Sequence, residues 1–336
     1  MATNIRASAS CLQTPASVKS QLPLRTDLAE AVVKWRRIVV NILAEKDRRL
    51  LVVIGPCSVH DPIAVQEYAS RLLVLQRQCP NLFFVMRTYF EKPRTRQGWS
   101  GFLHDPALDG SNNMQDGLLL TRKLLIQLTE MGIPCATETL SVIAPQYIDD
   151  LLTFACIGAR TTESQPHREL ASGLSVPVGF KNSTSGSVVA AINGIHSASE
   201  PKSFMGITQN GRVAVIHTNG NRNCCLVLRG GILPNYERDA IQRTVEELSL
   251  EKMDIGIVVD ASHGNSGKDW RKQINVIDYL TRARHPSIRG IMVESFLYDG
   301  SQSFTTRPLV YGVSVTDSCI GMVKTIGLMK ELNNSL

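Results

Sequence analysis

The segment LFFVMRTYFEKPRTRQGW, residues 82–99, shows the pattern from which the fold can be predicted. Its first five residues form an apolar run that predicts a buried strand. Four cations follow within ten residues, at positions 87, 92, 94 and 96, and Glu91 is the one carboxylate among them. Such a cluster repels itself unless an anion lies within it, so the segment predicts a strand that ends at an anion-binding site.

Runs of the same kind alternate with helical patterns along most of the chain. Strands are predicted at residues 51–54, 82–86, 135–137, 155–159, 176–180, 226–228, 255–259 and 290–293. Helices are predicted at residues 63–79, 117–132, 144–154, 165–172, 187–197, 237–250, 268–283 and 317–332. Eight strands alternating with eight helices predict an α/β fold, a (β/α)8 TIM barrel, although a doubly wound open sheet would produce much the same string.

Two segments do not fit the repeat. Residues 1–48 carry an additional helix and are predicted to form an N-terminal extension, while residues 49–336 form the barrel, the catalytic domain. Residues 203–218 contain two short strand patterns around QNGR, which predicts an inserted β-hairpin.

Composition limits the possible partners. The 336 residues are 43% hydrophobic and 20% charged, with a formal net charge of +6 that suits anionic small molecules or simply a basic surface. Aromatic residues make up only 6% and no basic run is interleaved with them, so nucleic acid is not an expected partner. No apolar stretch approaches ~18 residues, so no membrane-spanning segment is predicted.

The eight cysteines form neither a CxxC pair nor a disulfide framework, which predicts reduced thiols and a cytoplasmic location. The first 26 residues contain no acids and many Ser, Thr and Ala residues, a faint transit-peptide feature, but a polar extension is the preferred interpretation.

Charged residues follow most of the predicted strands. In a barrel these positions share the C-terminal face, where active sites lie. Guanidinium groups bind phosphate and carboxylate in bidentate fashion, so six cations at one mouth predict more than one anionic group. Any one of them could instead form a salt bridge on the barrel rim. The six are Arg87, Lys92, Arg94, Arg160, Lys181 and Arg229.

A second set near the strand ends mixes a thiol, an imidazole and two carboxylates: Cys57, His263, Glu294 and Asp317. Zn²⁺ accepts such ligands, and the two hard oxygens also suit Mn²⁺ or Fe²⁺. Three of these residues also have a plainer interpretation. Cys57 could be a core thiol, His263 a hydrogen-bonded rim imidazole, and Asp317 the N-cap of the last helix.

Long motifs resemble one family. VVIGPCSVHDP (residues 52–62), IGARTTESQPHRELASGLSVPVGFKN (157–182), VDASHGNSGKD (259–269) and YGVSVTDSCIG (311–321) closely resemble the short-chain, microbial-type 3-deoxy-D-arabino-heptulosonate 7-phosphate synthases. The resemblance extends from about residue 12 to residue 329. It implies a metal-dependent condensation of phosphoenolpyruvate with erythrose 4-phosphate, the first committed step of the shikimate pathway. KPRT, residues 92–95, favours this activity over that of the related 3-deoxy-octulosonate 8-phosphate synthases, which have a KANR-type sequence.

The resemblance also implies residue roles. Phosphoenolpyruvate would be bound by Arg87, Lys92, Arg160, Lys181 and Arg229, with Glu138 beside them. The phosphate of erythrose 4-phosphate would meet Arg94 and Thr95. One divalent ion, Mn²⁺, Fe²⁺, Co²⁺ or Zn²⁺, would be held by Cys57, His263, Glu294 and Asp317. The catalytic candidates are Lys92, Glu138 and His263, and the group that activates water is left open.

Regulation and assembly are further implications of the resemblance. An aromatic amino acid would inhibit from a pocket lined by Val142, Pro145, Gln146, Leu170, Leu174, Ser175, Phe204, Gly206 and Ile216, which could instead be a plain hydrophobic core. Gly206 stands where phenylalanine-regulated members have Ser and tyrosine-regulated members have Gly, which favours tyrosine as effector. The family implies a homodimer or homotetramer.

Three segments depart from the family pattern. Ser100 replaces a lysine, Ser183 and Ser185 replace Gly and Asp, and Ala261 stands where Phe or Cys is common. Ser183 would strain its loop if the position requires a positive φ. Because the metal-ligand types and the cations remain, an active enzyme is predicted. The alternatives are a low-activity or non-catalytic paralogue that binds phosphorylated ligands, and a paralogue dedicated to secondary metabolism.

Overall fold

Strands and helices alternate in the computed structural model, which describes residues 10–94 and 98–336. The strands are β1 (Leu50–Gly55), β2 (Leu82–Arg87), β3 (Cys135–Glu138), β4 (Phe154–Ile157), β5 (Val178–Lys181), β6 (Lys202–Ile207), β7 (Val213–Thr218), β8 (Cys224–Leu228), β9 (Ile257–Asp260), β10 (Ile288–Phe296) and β11 (Ile320–Gly321). The helices are α1 (Pro15–Gln21), α2 (Thr26–Leu43), α3 (Pro62–Gln78), α4 (Met114–Glu130), α5 (Pro145–Ile148), α6 (Gln165–Gly173), α7 (Val189–Ser199), α8 (Arg238–Leu250), α9 (His263–Ser266), α10 (Trp270–Ala283) and α11 (Met322–Ser335).

Eight parallel strands close into a barrel in the order β1, β2, β3, β4, β5, β8, β9, β10. Closure rests on a parallel pairing of β1 with β10, in which Leu51 lies opposite Gly290 and Gly55 opposite Glu294. An open doubly wound sheet has no such pairing between its ends, so the predicted TIM barrel is confirmed.

Most residues of the eight barrel strands are apolar because both faces of these strands are buried, and charged residues such as Arg87 and Lys181 lie at strand ends. Leu51 and Val53 point into the barrel interior, whereas Val52 and Ile54 pack in the layer between strands and helices. The N-terminal helix α2 adds Val39 and Ile42 to the interior cluster, and α2 therefore covers one end of the barrel. The other end, where the strands finish, remains open for a site.

The predicted hairpin is present as β6 and β7, which pair antiparallel over six residue pairs from Lys202–Thr218 to Ile207–Val213. The start of α1 contacts its turn, since the Ala16 amide donates to the Gln209 carbonyl at 2.8 Å. The division into an extension and a catalytic domain stays a prediction.

Two predicted helices differ from those observed. The segment predicted at 144–154 contains only α5 and a 3₁₀ turn, Asp149–Leu151, before β4 begins. The last helix begins at Met322 with Gly321 as its N-cap, because the preceding residues pair as β11 with the end of β10. Asp317 therefore lies in a loop, and the alternative that it caps this helix is wrong. None of the helices in residues 10–94 and 98–336 is long and apolar enough to cross a membrane.

Candidate active site

A cavity of about 370 Å³ opens at the C-terminal ends of the strands. Eight of the residues predicted from the sequence line it: Lys92, Arg94, Glu138, Arg160, Lys181, Arg229, His263 and Asp317. Residues that were not predicted also line it, among them Tyr89, Thr184, Lys268 and Thr316. Thr95, predicted to meet a phosphate, lies outside the described residues.

Lys181, the last residue of β5, is the central buried cation. Its Nζ lies 3.0 Å from Glu138 Oε2 and 3.6 Å from Asp260 Oδ2. Burial alone would lower the pKa of Lys181, but Glu138 and Asp260 hold it above its ordinary value. Burial alone would likewise raise the pKa of Glu138, but Lys181 and Lys92 hold it below its ordinary value. Both groups are therefore charged at neutral pH.

Arg87, the last residue of β2, lies beneath the cavity rather than in its lining. Its Nη2 donates to Glu294 Oε1 at 2.9 Å, and its guanidinium group stacks 3.9 Å from the centre of the Tyr89 ring. Nε and Nη1 of Arg87 have no hydrogen-bond partner among the described residues. Buried donors without partners are unfavourable, so Arg87 retains capacity for an anion or water. Nζ of Lys181 lies 5.6 Å from the centre of the same Tyr89 ring.

The β1 end places Cys57 beside Arg87. Gly55 permits this approach, because a Cβ there would lie 2.8 Å from the Arg87 carbonyl oxygen. The sulfur of Cys57 accepts hydrogen bonds from Lys92 Nζ at 3.1 Å and from the Asp317 amide at 3.3 Å. Burial, followed by the charge of Glu294, raises the pKa of Cys57 to about 11. A bound cation would favour the thiolate instead.

Three of the four predicted metal ligands converge. Ligand atoms of Cys57, Glu294 and Asp317 all lie within 4.8 Å of one another. One sulfur and two carboxylates are a donor set that suits a divalent transition ion, so these residues fit the implied metal. Burial alone would raise the pKa of Glu294, but His263 and Arg87 lower it to about 2, which keeps this carboxylate ionised.

His263 lies beside this group and is not part of it. Its Nε2 is 3.9 Å from Glu294 Oε1, and its Nδ1 is 2.9 Å from Asp260 Oδ2. His263 Nδ1 and Asp260 Oδ2 have no hydrogen-bond partner among the described residues, although the two atoms are close. The histidine therefore borders both the proposed metal ligands and the Lys181 carboxylates.

The remaining predicted cations are fixed by backbone oxygens or line the cavity. Arg94 Nε donates to the Trp99 carbonyl at 2.7 Å, and Arg229 Nη1 donates to the Gly230 carbonyl at 3.1 Å. The Arg229 amide donates to Asn182 Oδ1 at 2.7 Å, which ties β8 to the loop after β5. These bonds leave further guanidinium donors for anions.

The substituted serines are accommodated without backbone strain. In the described part of this loop, Gly186 has a positive φ of 105° and Ser183 does not. The hydroxyls of Ser183 and Ser185 lie 2.8 Å apart. The carbonyl of Ser100 accepts from the Lys92 amide at 2.9 Å, a contact that does not depend on the side chain at 100. The conditional expectation that Ser183 strains the loop is therefore not met.

A consequence can be tested by Ser183→Gly, which restores the family residue. Because Ser183 lies outside the left-handed region, glycine adds chain entropy and removes a hydroxyl contact. The free energy of unfolding is expected to fall by about 0.5–1 kcal/mol in urea titrations. A gain in stability would mean that the serine is strained after all.

A second cavity of about 500 Å³ lies beneath the hairpin, and all nine residues predicted for the effector pocket line it. Gly206 of β6 faces Ile216 of β7, because a Cβ at Gly206 would lie 2.8 Å from Ile216 Cγ1. The cavity thus offers room for a small molecule next to Gly206.

Comparison with known proteins connects this geometry to a family. The model of the DAHP synthetase I family matches residues 14–329. The chain is 44% identical over 330 residues to the Phe-sensitive phospho-2-dehydro-3-deoxyheptonate aldolase of Escherichia coli K12, covering 97% of this chain and 94% of the relative. It is 45% identical over 332 residues to the Tyr-sensitive protein of the same strain, covering 97% and 93%. A solved phospho-2-dehydro-3-deoxyheptonate aldolase from Francisella tularensis SCHU S4 superposes with a TM-score of 0.96 at 42% identity, covering 98% of both chains.

Proposed function

Because the chain belongs to the DAHP synthetase I family, we propose that it joins phosphoenolpyruvate, D-erythrose 4-phosphate and water to form 3-deoxy-D-arabino-heptulosonate 7-phosphate and phosphate. The observation that carries the proposal is a cavity lined by cations beside a thiol and two carboxylates that suit a divalent ion. Two phosphorylated substrates repel each other, and converging cations offset that repulsion and orient the reacting carbons. We place the reaction at the first step of the shikimate pathway to chorismate and the aromatic amino acids.

Phosphoenolpyruvate is assigned to the inner part of the cavity. Its phosphate and carboxylate would meet Arg160, Lys181 and Arg229, which line the cavity, while Arg87 contributes positive charge from behind Tyr89. Erythrose 4-phosphate is assigned to the outer part, with its phosphate on Arg94 and on Thr95. Both anions would then meet guanidinium groups that line the cavity, Arg160 and Arg229 for phosphoenolpyruvate and Arg94 for erythrose 4-phosphate.

Carbon 3 of phosphoenolpyruvate forms a bond to the aldehyde carbon, and the aldehyde oxygen gains an electron pair and a proton. Lys92 is the proposed donor, because Cys57 and Glu294 hold its pKa above the ordinary value although burial opposes this. Water adds to carbon 2 and loses a proton, after which the bond from carbon 2 to the phosphate oxygen breaks. Glu138 faces the same cavity and is ionised, so it is able to accept a proton.

A divalent ion is assigned to Cys57, Glu294 and Asp317, with His263 as a candidate fourth ligand or catalytic group. When bound, such an ion supplies Lewis-acid polarisation of a carbonyl oxygen. Its identity among Mn²⁺, Fe²⁺, Co²⁺ and Zn²⁺ is not fixed by the donor set.

The experiment that tests this function measures phosphate release by the purified chain with Mn²⁺. Phosphate is expected only when both substrates are present, and it should stop when a chelator removes the ion. Replacing erythrose 4-phosphate with arabinose 5-phosphate distinguishes the related eight-carbon synthases. If no phosphate is released with any of the four metals, the result would instead support a non-catalytic paralogue that binds phosphorylated ligands.

An aromatic amino acid is the proposed effector, in the cavity beneath the hairpin. Relatives of this chain are named Phe-sensitive, Tyr-sensitive and Trp-sensitive, and these names support an aromatic amino acid as the class of effector. Tyrosine is favoured because Gly206, which lines the cavity, stands where tyrosine-regulated members of the family have Gly and phenylalanine-regulated members have Ser.

The choice of effector can be tested by Gly206→Ser. The new side chain must begin 2.8 Å from Ile216 Cγ1, so it displaces Ile216 and occupies space beside the effector ring. Inhibition by tyrosine is expected to weaken by at least about tenfold, while inhibition by phenylalanine is retained or gained. Dose–response curves for all three aromatic amino acids measure this. Inhibition of the unsubstituted protein by phenylalanine and not by tyrosine would contradict the assignment.

We also propose that the chain forms a homodimer or homotetramer in the cytoplasm. The outer face of the hairpin exposes Met205, Val213 and Val215, and a second copy could cover this apolar surface. Light scattering after size-exclusion chromatography measures the oligomeric state directly.

A further inference from the structure

Lys268 lines the active-site cavity, although none of the assigned roles includes it. Its Nζ lies 3.1 Å from Asp317 Oδ1. Its backbone has a φ of 65°, immediately after Gly267 with a φ of 59°, and its amide donates to the His263 carbonyl at 3.0 Å. A left-handed conformation is unfavourable for lysine and favourable for glycine. The chain therefore places a cation at the cavity in spite of a local backbone cost.

The position of Asp317 does not depend on this lysine. The Asp317 amide donates to Cys57 Sγ at 3.3 Å, and the Asp317 carbonyl accepts from Ser314 Oγ at 2.8 Å. Both contacts fix the Asp317 backbone next to Cys57. The ammonium group of Lys268 therefore contributes charge at the carboxylate rather than placement of the loop.

We propose that Lys268 forms an ion pair with the Asp317 carboxylate when no ion is bound. This pairing weakens the binding of a divalent ion by Cys57, Glu294 and Asp317. This inference rests on the proposed function, because it takes these three residues as the metal ligands. Lys268 acts through Asp317 and is a positioning residue for the ion, not a catalytic residue.

Two opposing effects decide the direction. An ammonium group beside Asp317 could help by ordering the carboxylate, but a side-chain pair exposed by 53% and 27% gains little from that. The same ammonium repels an incoming divalent ion and competes for the carboxylate oxygen. Because the backbone contacts already order Asp317, repulsion and competition are the larger effects.

The test is the dissociation constant of Mn²⁺, measured by calorimetry or by competition with a chelating dye. Lys268→Met is expected to bind Mn²⁺ about tenfold more tightly, equivalent to about 1.4 kcal/mol. Lys268→Arg retains the charge and should stay within about twofold of the unsubstituted protein. The matched control is Lys252→Met, since Lys252 is also an exposed lysine with positive φ, 54°, outside the lining of the active-site cavity.

A second measurement does not depend on titration of the ion. Mn²⁺ should raise the thermal midpoint of Lys268→Met more than that of the unsubstituted protein, because tighter binding to the folded state stabilises it further. Lys268→Gly, which removes both the charge and the left-handed cost, provides an independent variant with the same expected direction.

Unchanged or weaker Mn²⁺ binding in both neutral variants would overturn the inference. Metal-dependent phosphate release by the unsubstituted protein would then still support the proposed function. If the unsubstituted protein binds no Mn²⁺, the inference and the proposed ligand set both fail, and phosphate release by that protein decides separately whether the function stands.

Discussion

Cys57→Ala is expected to abolish binding of the divalent ion and to reduce phosphate release by at least about a thousandfold. The substitution removes the sulfur that accepts from Lys92 Nζ and the Asp317 amide, and it leaves only two carboxylates in the ligand group. Carboxylates alone bind first-row metals less tightly than a set that includes a thiolate. Metal content after dialysis and phosphate release with both substrates measure the two effects.

Cys79→Ala is the matched control for this variant. Cys79 is equally buried, and its thiol donates to the Met329 carbonyl at 3.7 Å; Cys79 is not part of the cavity lining. The same atoms are removed, so both variants lose a similar packing contribution. Cys79→Ala should retain its ion and at least about half its activity below the melting temperature. Activity of the Cys57 variant near that of this control would show that the sulfur does not hold an essential ion.

Lys181→Met is expected to lower the free energy of unfolding by about 3–5 kcal/mol and to remove activity. The ammonium group lies between Glu138 and Asp260, and all three residues are buried. Without it, two buried carboxylates lose the ammonium group that lies within 3.6 Å of both, and methionine cannot restore that charge. Urea titrations followed by circular dichroism and fluorescence measure the loss.

The control for this variant is Lys123→Met, which removes an exposed lysine on α4 and should change stability by less than about 0.5 kcal/mol. Adding Glu138→Gln to Lys181→Met should recover part of the lost stability, because one unpaired buried charge disappears with it. A loss below about 1 kcal/mol for Lys181→Met would mean that the carboxylates are protonated or solvated, contrary to their low pKa values.

The alternation of strands and helices could be predicted from the sequence because barrel strands are buried on both faces. Runs such as LLVVIG, residues 50–55, have no polar interruption, and each ends at a charged or small residue. Closure of the barrel could not be predicted, since it depends on the pairing of β1 with β10, about 240 positions apart in the chain. The start of the last helix was missed because the short strand β11 takes up residues that are equally compatible with a helix.

The candidate site was predictable in its residue types and less so in its contacts. Strand-end position identified Lys181 and Glu138, and the combination of a thiol, an imidazole and two carboxylates identified Asp317 as a possible ligand. Lys268 was missed because it is brought to the cavity by the short helix α9 and the left-handed turn that follows it. Neither segment has a helical or strand periodicity in its sequence. Tyr89, two residues after β2, could have been noticed as an aromatic flanked by cations in sequence.

The separation of the ligands along the chain has a consequence during synthesis. Cys57 leaves the ribosome long before Glu294 and Asp317, and the three meet only when the last strand completes the ring. A nascent polypeptide therefore has only one of the three ligands and no chelating pocket, so loading of the ion must wait for the end of translation and reports that the ring has closed.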